Sequence, residues 1–153
     1  MKAIGKYFLF LFLLFNIIFF YSQHTHPQIN YGDNPKFDGN KYLKAYHYFK
    51  GDLPKYEVRF PFHTRLYCTA LASLFNENAF TIFRTINYFS CLFLIFTLLF
   101  LAHKIKANLI FASALLIYIL LHWSGPVRYY ATDVVGVDLP CLLMLSIFLL
   151  IIY

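Results

Sequence analysis

The sequence predicts an all-α, polytopic membrane protein with three to four transmembrane helices and a loop that carries amphipathic juxtamembrane helices. The 153-residue chain is 60% hydrophobic and only 13% charged, whereas soluble domains average roughly 45–50% apolar and about 25% charged residues. The apolar residues form long runs with Lys and Arg at their edges. All seven acidic residues fall in the windows 33–77 and 133–138. This composition excludes a soluble enzyme and a disordered chain.

The first span is predicted over residues 3–22, where an uncharged, Phe-rich run follows Lys2 and Lys6. A secretory signal peptide has the same charged start but ends at a small-residue cleavage site. The residues that follow here read YSQHTHP and contain no such pattern. Because the run reaches the roughly 20 residues that a membrane-spanning helix needs, we expect an uncleaved transmembrane helix.

Residues 23–78 are predicted to form a non-cytoplasmic loop with two surface helices. The first covers residues 38–50, with Asp38 as its N-cap and Gly51 where the helix ends. Its predicted stripe comprises Tyr42, Ala45, Tyr46 and Phe49. An aromatic stripe on a short helix suits the headgroup region of a membrane, so we expect this helix to lie at the membrane surface.

The second surface helix is predicted over residues 62–75, which are too few to span a membrane. Its predicted apolar face comprises Phe62, Leu66, Ala70, Leu71 and Leu74. The sequence 76–78, Asn-Glu-Asn, then interrupts the pattern. We therefore expect a juxtamembrane or half-buried helix.

The second half of the chain contains three apolar runs. Span 2 is predicted over 82–102 and span 3 over 107–123, and the basic turn 103–106 joins them. A short polar loop over 124–138 follows, and residues 139–153 begin a fourth span. This last run is shorter than the roughly 20 residues of a complete span. We therefore expect the N-terminal part of a larger membrane protein, or the product of a frame-broken gene.

The orientation follows from the short basic segments. The N-terminus and the turn 103–106 carry Lys without acidic neighbours, which predicts that both are cytoplasmic. Residues 23–78 and 124–138 then share the non-cytoplasmic side. The Phe, Ile, Lys and Asn bias indicates an AT-rich genome and hence a bacterial inner (plasma) membrane. Since the basic residues lie beside apolar runs, we expect the lipid bilayer as a partner, not nucleic acid.

Asp38 and Asp133 are the candidate catalytic residues. The dipole at the start of the helix over 38–50 stabilises an anion, so Asp38 can act as a general base or hold a divalent cation against a phosphate. The alternative is that Asp38 only caps its helix. Asp133 and Asp138 lie in the second loop beside Arg128. The alternative for these acids is that they keep the loop solvated.

Four arginines are candidate ligands for a lipid phosphate. The guanidinium group of Arg128 offers two parallel donors to a phosphate near the membrane surface, and its alternative is a headgroup anchor. Arg59, Arg65 and Arg84 carry a similar pair of interpretations, because any of them can snorkel from an amphipathic helix instead of binding a ligand.

The remaining polar residues carry no established motif. His24, His26, His47 and His63 leave open a metal site, but no Cys joins them, and we interpret them as loop or interfacial histidines. Cys68, Cys91 and Cys141 are odd in number and imply no disulfide framework. The sequence contains no Gly-rich phosphate loop, nucleophile elbow or zinc-protease signature.

The order of these parts resembles the start of a GT-C-type membrane glycosyltransferase, of the mannosyltransferase-like or aminoarabinose-transferase-like groups. A first span enters a loop whose Asp precedes a surface helix, FDGNKYLKAYHYFKGD. An aromatic, Arg-bearing segment follows, RFPFHTRLYCTALASLF. Next come an Arg before the second span, FRTINYFSCLFLIFTLLFLAHK, and a short loop with an acidic residue, GPVRYYATDVVGVDLP.

The resemblance implies transfer of a sugar from a polyprenyl-phosphate donor to a lipid or polymer acceptor. By position it assigns Asp38 as the base, with or without a divalent cation, and Asp133 as a supporting acid. It assigns Arg128, with Arg59 and Arg65, to the substrate phosphate. The family has eight or more spans and a paired acidic motif in its first loop, whereas Gly39 and Asn40 follow the first Asp here. We expect this chain to be inactive without the missing C-terminal part.

The alternative function is a non-catalytic integral membrane subunit or scaffold whose Tyr-rich loop binds a partner, such as another membrane subunit. A transporter fragment is a third interpretation. No ionisable residue lies in the middle of a predicted span, where transporters place their coupling sites, and this disfavours the third one.

Overall fold

A computed structural model describes residues 2–30, 38–55, 66–122 and 133–152. The described residues form six helices and contain no strand, which confirms the all-α prediction for this part of the chain. In chain order the helices are α1 (Lys2–Thr25), α2 (Asp38–Lys50), α3 (Tyr67–Ser73), α4 (Ala79–Lys104), α5 (Leu109–Leu121) and α6 (Asp138–Ile152).

Two of the described helices, α1 and α4, are long and apolar enough to cross a membrane. They correspond to the spans predicted over 3–22 and 82–102. The apolar part of α1 has 21 residues and α4 has 26, which gives lengths of about 32 and 39 Å at 1.5 Å per residue. The helices in the other two predicted spans, α5 and α6, have 13 and 15 residues and are shorter than a complete span.

Asparagine side chains cap the N-termini of α4 and α5. Asn78 Oδ1 accepts a hydrogen bond from the Phe80 backbone N–H at 2.9 Å. Asn108 Oδ1 accepts from the N–H groups of Ile110 and Phe111, at 2.9 and 3.3 Å. Both Asn residues have extended backbone, which is the geometry of an N-cap. The Asn-Glu-Asn interruption before α4 is therefore the start signal of that helix.

In the turn after α4, one lysine has a left-handed backbone conformation. Lys106 has φ 59°, and the Ala107 N–H donates to the Ala102 carbonyl at 2.8 Å. This is the geometry in which helices usually end on glycine, because a Cβ is strained there.

Replacing Lys106 by glycine should therefore raise the free energy of unfolding by about 0.5–1 kcal/mol. Chemical unfolding of the detergent-solubilised protein measures this change. Lys106→Ala is the control, because it removes the same charge and keeps the Cβ. Equal stabilisation by both variants would show that charge, not backbone strain, limits this turn.

Helices α1 and α4 pack against each other in opposite directions. Phe8 stacks on Phe96 at 3.6 Å between ring centroids, and Phe19 meets Tyr88 at 5.0 Å. The Tyr88 hydroxyl donates to Asn16 Oδ1 at 2.7 Å. Polar residues that pair across two apolar helices in this way stabilise their association in a membrane.

We call the buried residues around this contact the interhelical cluster. It comprises Leu11, Phe15, Ile18, Phe19, Cys91, Leu92, Ile95, Leu99, Leu116, Leu120 and Leu139. These side chains come from α1, α4, α5 and α6, and α6 also packs along α4. The four most apolar helices are therefore packed around one core.

A second core, the cap cluster, lies at the N-terminal end of α4. Its members come from α2, α3, α4 and the segment 133–137. They are Tyr42, Tyr46, Cys68, Ala72, Ile82, Phe83, Val134, Val135 and Val137. The described parts of the two polar loops therefore pack together at one end of α4.

Most of the predicted stripe of α2 is buried against other helices of the protein. Tyr42, Ala45 and Tyr46 are buried, and the Tyr46 hydroxyl donates to the Glu77 carbonyl at 3.2 Å. Phe49, the fourth predicted member, is exposed. Because α3 and α4 cover most of this stripe, the placement of α2 at a membrane surface stays a prediction.

The predicted apolar face of α3 is exposed where the structure describes it, and the opposite side of the helix is the buried one. Leu71 is exposed and Leu74 is 77% exposed, whereas the small residues Cys68, Thr69 and Ala72 are buried. Small side chains allow α3 to approach α2 and α4 closely, and the Thr69 hydroxyl donates to the Leu66 carbonyl at 2.7 Å. Residues 62–65 of the predicted helix lie outside the described ranges.

Candidate functional site

Asp38, the predicted base, lies at the exposed start of α2. Lys41 Nζ donates to its Oδ1 at 3.1 Å, and the Asp38 side chain is 62% exposed. Such an exposed pair contributes less than about 1 kcal/mol to stability. The Asp38 carboxylate is accessible to an acceptor from the aqueous side.

Asp133, the predicted supporting acid, lies at the start of the buried segment 133–137. It is only 8% exposed, and its carbonyl accepts from the Gly136 N–H at 3.3 Å. The valines of the segment belong to the cap cluster, which also contains α2 residues. The element that begins at Asp38 and the one that begins at Asp133 thus share a core.

Asn87 of α4 holds this segment in place. Its Nδ2 donates to the carbonyls of Val134 and Gly136 at 2.9 and 3.0 Å, and the residue is 2% exposed. Two buried carbonyls are satisfied by one amide in this arrangement. Asn87 is not among the residues predicted from the sequence, where its one signal is a polar amide inside a predicted span.

Only one of the four candidate arginines lies among the residues that the structure describes. Arg59, Arg65 and Arg128 lie outside the described residues. Arg84 lies on α4 and is half-buried, and its Nε is buried without a hydrogen-bond partner among the described residues. From the sequence, Arg84 is predicted either to bind a lipid phosphate or to snorkel from its helix.

A cleft of about 260 Å³ lies beside Arg84 between α1 and α4. It is lined by Phe19, Phe20, Arg84, Thr85, Tyr88 and Phe89. Its walls are almost entirely apolar, with one permanent positive charge. This combination favours an amphiphile with an anionic group.

The Cys68 thiol of α3 is buried. Burial raises the pKa of the Cys68 thiol to about 12, so the thiol is protonated at neutral pH. The Tyr67 hydroxyl lies 3.5 Å from Cys141 Sγ. Burial, followed by the hydrogen bond to Cys141, raises the pKa of Tyr67. All three cysteines of the chain are free thiols.

The described residues do not fit a divalent-cation site. No three His, Cys, Asp or Glu side chains come together in this part of the chain. Asp38 is paired with Lys41, and His47 Nδ1 lies 2.9 Å from Asp52 Oδ2. His63 lies outside the described residues.

The described residues form an all-helical fold with two helices that are long and apolar enough to cross a membrane, and with a packed polar end. No protein-family model, curated protein or solved structure matches the chain.

Proposed function

We propose that this chain is the N-terminal part of a polytopic membrane glycosyltransferase. It transfers a sugar from a polyprenyl-phosphate donor to a lipid or polymer acceptor on the non-cytoplasmic side of a bacterial inner membrane. In this proposal α1 and α4 cross the membrane, and α5 and α6 belong to the third and fourth spans. The N-terminus is cytoplasmic.

The observation that supports this proposal is the cap cluster. It brings α2, which begins at Asp38, and the segment that begins at Asp133 to the same end of α4. A transferase of this kind needs a base and a supporting acid at the membrane surface, where the lipid-linked donor meets the acceptor. The packing of both loops at one end of α4 supports this arrangement.

The proposed reaction is a direct displacement. Asp38 takes the proton of the acceptor hydroxyl as its oxygen attacks the anomeric carbon of the sugar. The bond between that carbon and the phosphate oxygen breaks, and the polyprenyl phosphate leaves with the bonding electrons. Arg128 offsets the charge that develops on the phosphate. The Asn87 amide holds the segment that contains Asp133 in place by donating to the carbonyls of Val134 and Gly136.

The proposal predicts that Asp38→Asn lowers sugar transfer by about 10²–10⁴-fold, since the amide cannot accept the proton. The measurement is transfer of a labelled sugar from polyprenyl phosphate in membranes that contain the protein with any spans encoded after residue 153. Asp52→Asn is the matched control, because it removes an exposed carboxylate at the other end of α2. Membrane insertion should be unchanged in both variants. Transfer retained by Asp38→Asn would overturn the assignment of the base.

A non-catalytic membrane subunit is the second candidate function, and one observation favours it. The Asp38 carboxylate is exposed and already paired with Lys41, and exposed aromatic residues, Tyr48 and Phe49, lie at the other end of the same helix. Such a surface suits contact with another membrane protein. A gene product that ends at residue 153, inserts stably and transfers no sugar would support this function.

A further inference from the structure

The register of α1 against α4 places two polar side chains at one level of this helix pair. Phe19 and Tyr88 are in contact, with ring centroids 5.0 Å apart. In antiparallel helices, four residues further along α1 and four residues back along α4 lie at one level and on the same faces. These positions are Gln23 and Arg84.

Both of these groups are buried and lack partners among the described residues. They are Nε2 and Oε1 of Gln23 and Nε of Arg84. A buried donor without a partner destabilises the folded protein, and more so when it is charged. An anion that accepts from both side chains would remove this destabilisation.

The depth of Arg84 matches the headgroup level of a membrane. Lys104, at the other end of α4, is 20 residues away, which is about 30 Å along a helix. The hydrocarbon core of a bilayer is roughly 30 Å thick. When Lys104 lies at one surface, Arg84 therefore lies at the opposite one.

The surroundings of the cleft suit acyl chains. Phe20 and Phe89 line the cleft and are exposed. Ile17 of α1 and Phe93 of α4, each one turn toward the membrane centre, are exposed as well. A lipid whose phosphate reaches Arg84 can lay its chains along these apolar side chains.

We propose that this cleft binds the phosphate headgroup of an anionic phospholipid of the surrounding bilayer. Arg84 lines the cleft and donates to the phosphate oxygens. Gln23, at the same level of α1 but outside the cleft lining, supplies a further donor, and the lipid bridges α1 to α4. The inference rests on the membrane placement in the proposed function, but it does not need the transferase activity.

The occupant is a bilayer lipid and not the sugar donor because no carboxylate lies among the described residues that line the cleft. The segment of Asp133 instead packs on the side of α4 that carries Phe83 and Asn87. A phosphate bound at Arg84 is thus held by a different set of side chains from those proposed for the reaction.

The experiment measures retained lipid by native mass spectrometry of the full chain. The protein is reconstituted with phosphatidylglycerol and phosphatidylcholine in equal amounts, then extracted in mild detergent. Wild type should retain one phosphatidylglycerol, and Arg84→Gln should reduce this retention at least tenfold. Gln23→Leu should reduce it by a smaller factor. Lys44→Gln, which removes an exposed charge on α2, should leave it unchanged.

A second measurement separates lipid binding from misfolding. Arg84→Met replaces the guanidinium by an apolar side chain of similar length. Phosphatidylglycerol should raise the unfolding temperature of wild type and of Lys44→Gln but not that of Arg84→Met. In phosphatidylcholine alone, Arg84→Met should be at least as stable as wild type, because no unpaired charge is buried.

The possible outcomes distinguish the lipid site from the proposed function. Equal retention of phosphatidylglycerol by wild type and Arg84→Gln would overturn the site. Retention of added polyprenyl phosphate in place of phosphatidylglycerol would overturn the choice of a bilayer lipid. A wild-type chain that alkaline carbonate extracts from membranes would overturn the membrane placement, and the proposed function with it. Loss of transfer in Asp38→Asn with lipid retention intact would leave both proposals standing.

Discussion

Replacing Phe83 by alanine is expected to lower the free energy of unfolding by about 3–5 kcal/mol, as for other large-to-small changes in packed cores. Phe83 is 1% exposed and lies in the cap cluster. Its ring is 6.1 Å from that of Tyr46. The substitution would leave a cavity where α2, α3 and the segment 133–137 meet α4. Chemical unfolding of the detergent-solubilised protein provides the measurement.

Phe93→Ala is the matched control, because Phe93 lies on the same helix but is 52% exposed. We expect this control to cost less than about 1 kcal/mol in detergent, where its ring has few protein contacts to lose. Equal destabilisation by the two substitutions would mean that the cap cluster is not a packed core.

Replacing Asn87 by leucine should cost about 2–4 kcal/mol, because the buried carbonyls of Val134 and Gly136 would both lose their donor. Leucine has the same branched shape and the same number of side-chain heavy atoms but bulkier methyl groups, so the loss reports the missing hydrogen bonds together with any overpacking. The same unfolding measurement gives the stability. Hydrogen exchange should also show faster exchange in the segment 133–137.

Thr97→Val is the control for this substitution. The Thr97 hydroxyl donates only to the Phe93 carbonyl of its own helix, at 2.7 Å, so its removal should change the stability by less than about 0.5 kcal/mol. If Asn87→Leu unfolds as wild type does, the segment is held by its valines alone.

The helix bounds were accessible to sequence reasoning because their signals are local. The prediction of α2 over 38–50 matches the observed helix. Gly51 has φ 86°, and the Asp52 N–H donates to the His47 carbonyl at 2.9 Å. Only glycine adopts this left-handed conformation without strain, so its position in the sequence marks the end of the helix.

Which face of each helix is buried was harder to predict from the sequence. Leu71, Leu74 and Phe49 are apolar and exposed. In a chain that spans a membrane, an apolar residue can face either lipid or the core. Periodicity of hydrophobicity alone cannot separate these two environments. On α3 the buried side is instead the one with small residues, which is typical of closely packed helices in membranes.

The candidate site could be predicted only in part from the sequence. Asp38 and Asp133 were chosen because acidic residues are scarce, and the structure places their elements around one core. The contact of Asn87 with Val134 spans 47 residues of sequence. The common level of Gln23 and Arg84 depends on the register of α1 against α4. Both features require the tertiary arrangement.

The transmembrane arrangement is tested most directly by cysteine labelling in intact cells. Single cysteines replace Lys44 on α2 or Lys106 after α4, both exposed, in a chain whose three native cysteines are alanine. A membrane-impermeant maleimide should label the Lys44→Cys protein at once and the Lys106→Cys protein only after the membrane is permeabilised. Equal labelling of both proteins in intact cells, or the reverse order, would contradict a membrane crossing by α4 with the cap cluster on the non-cytoplasmic side.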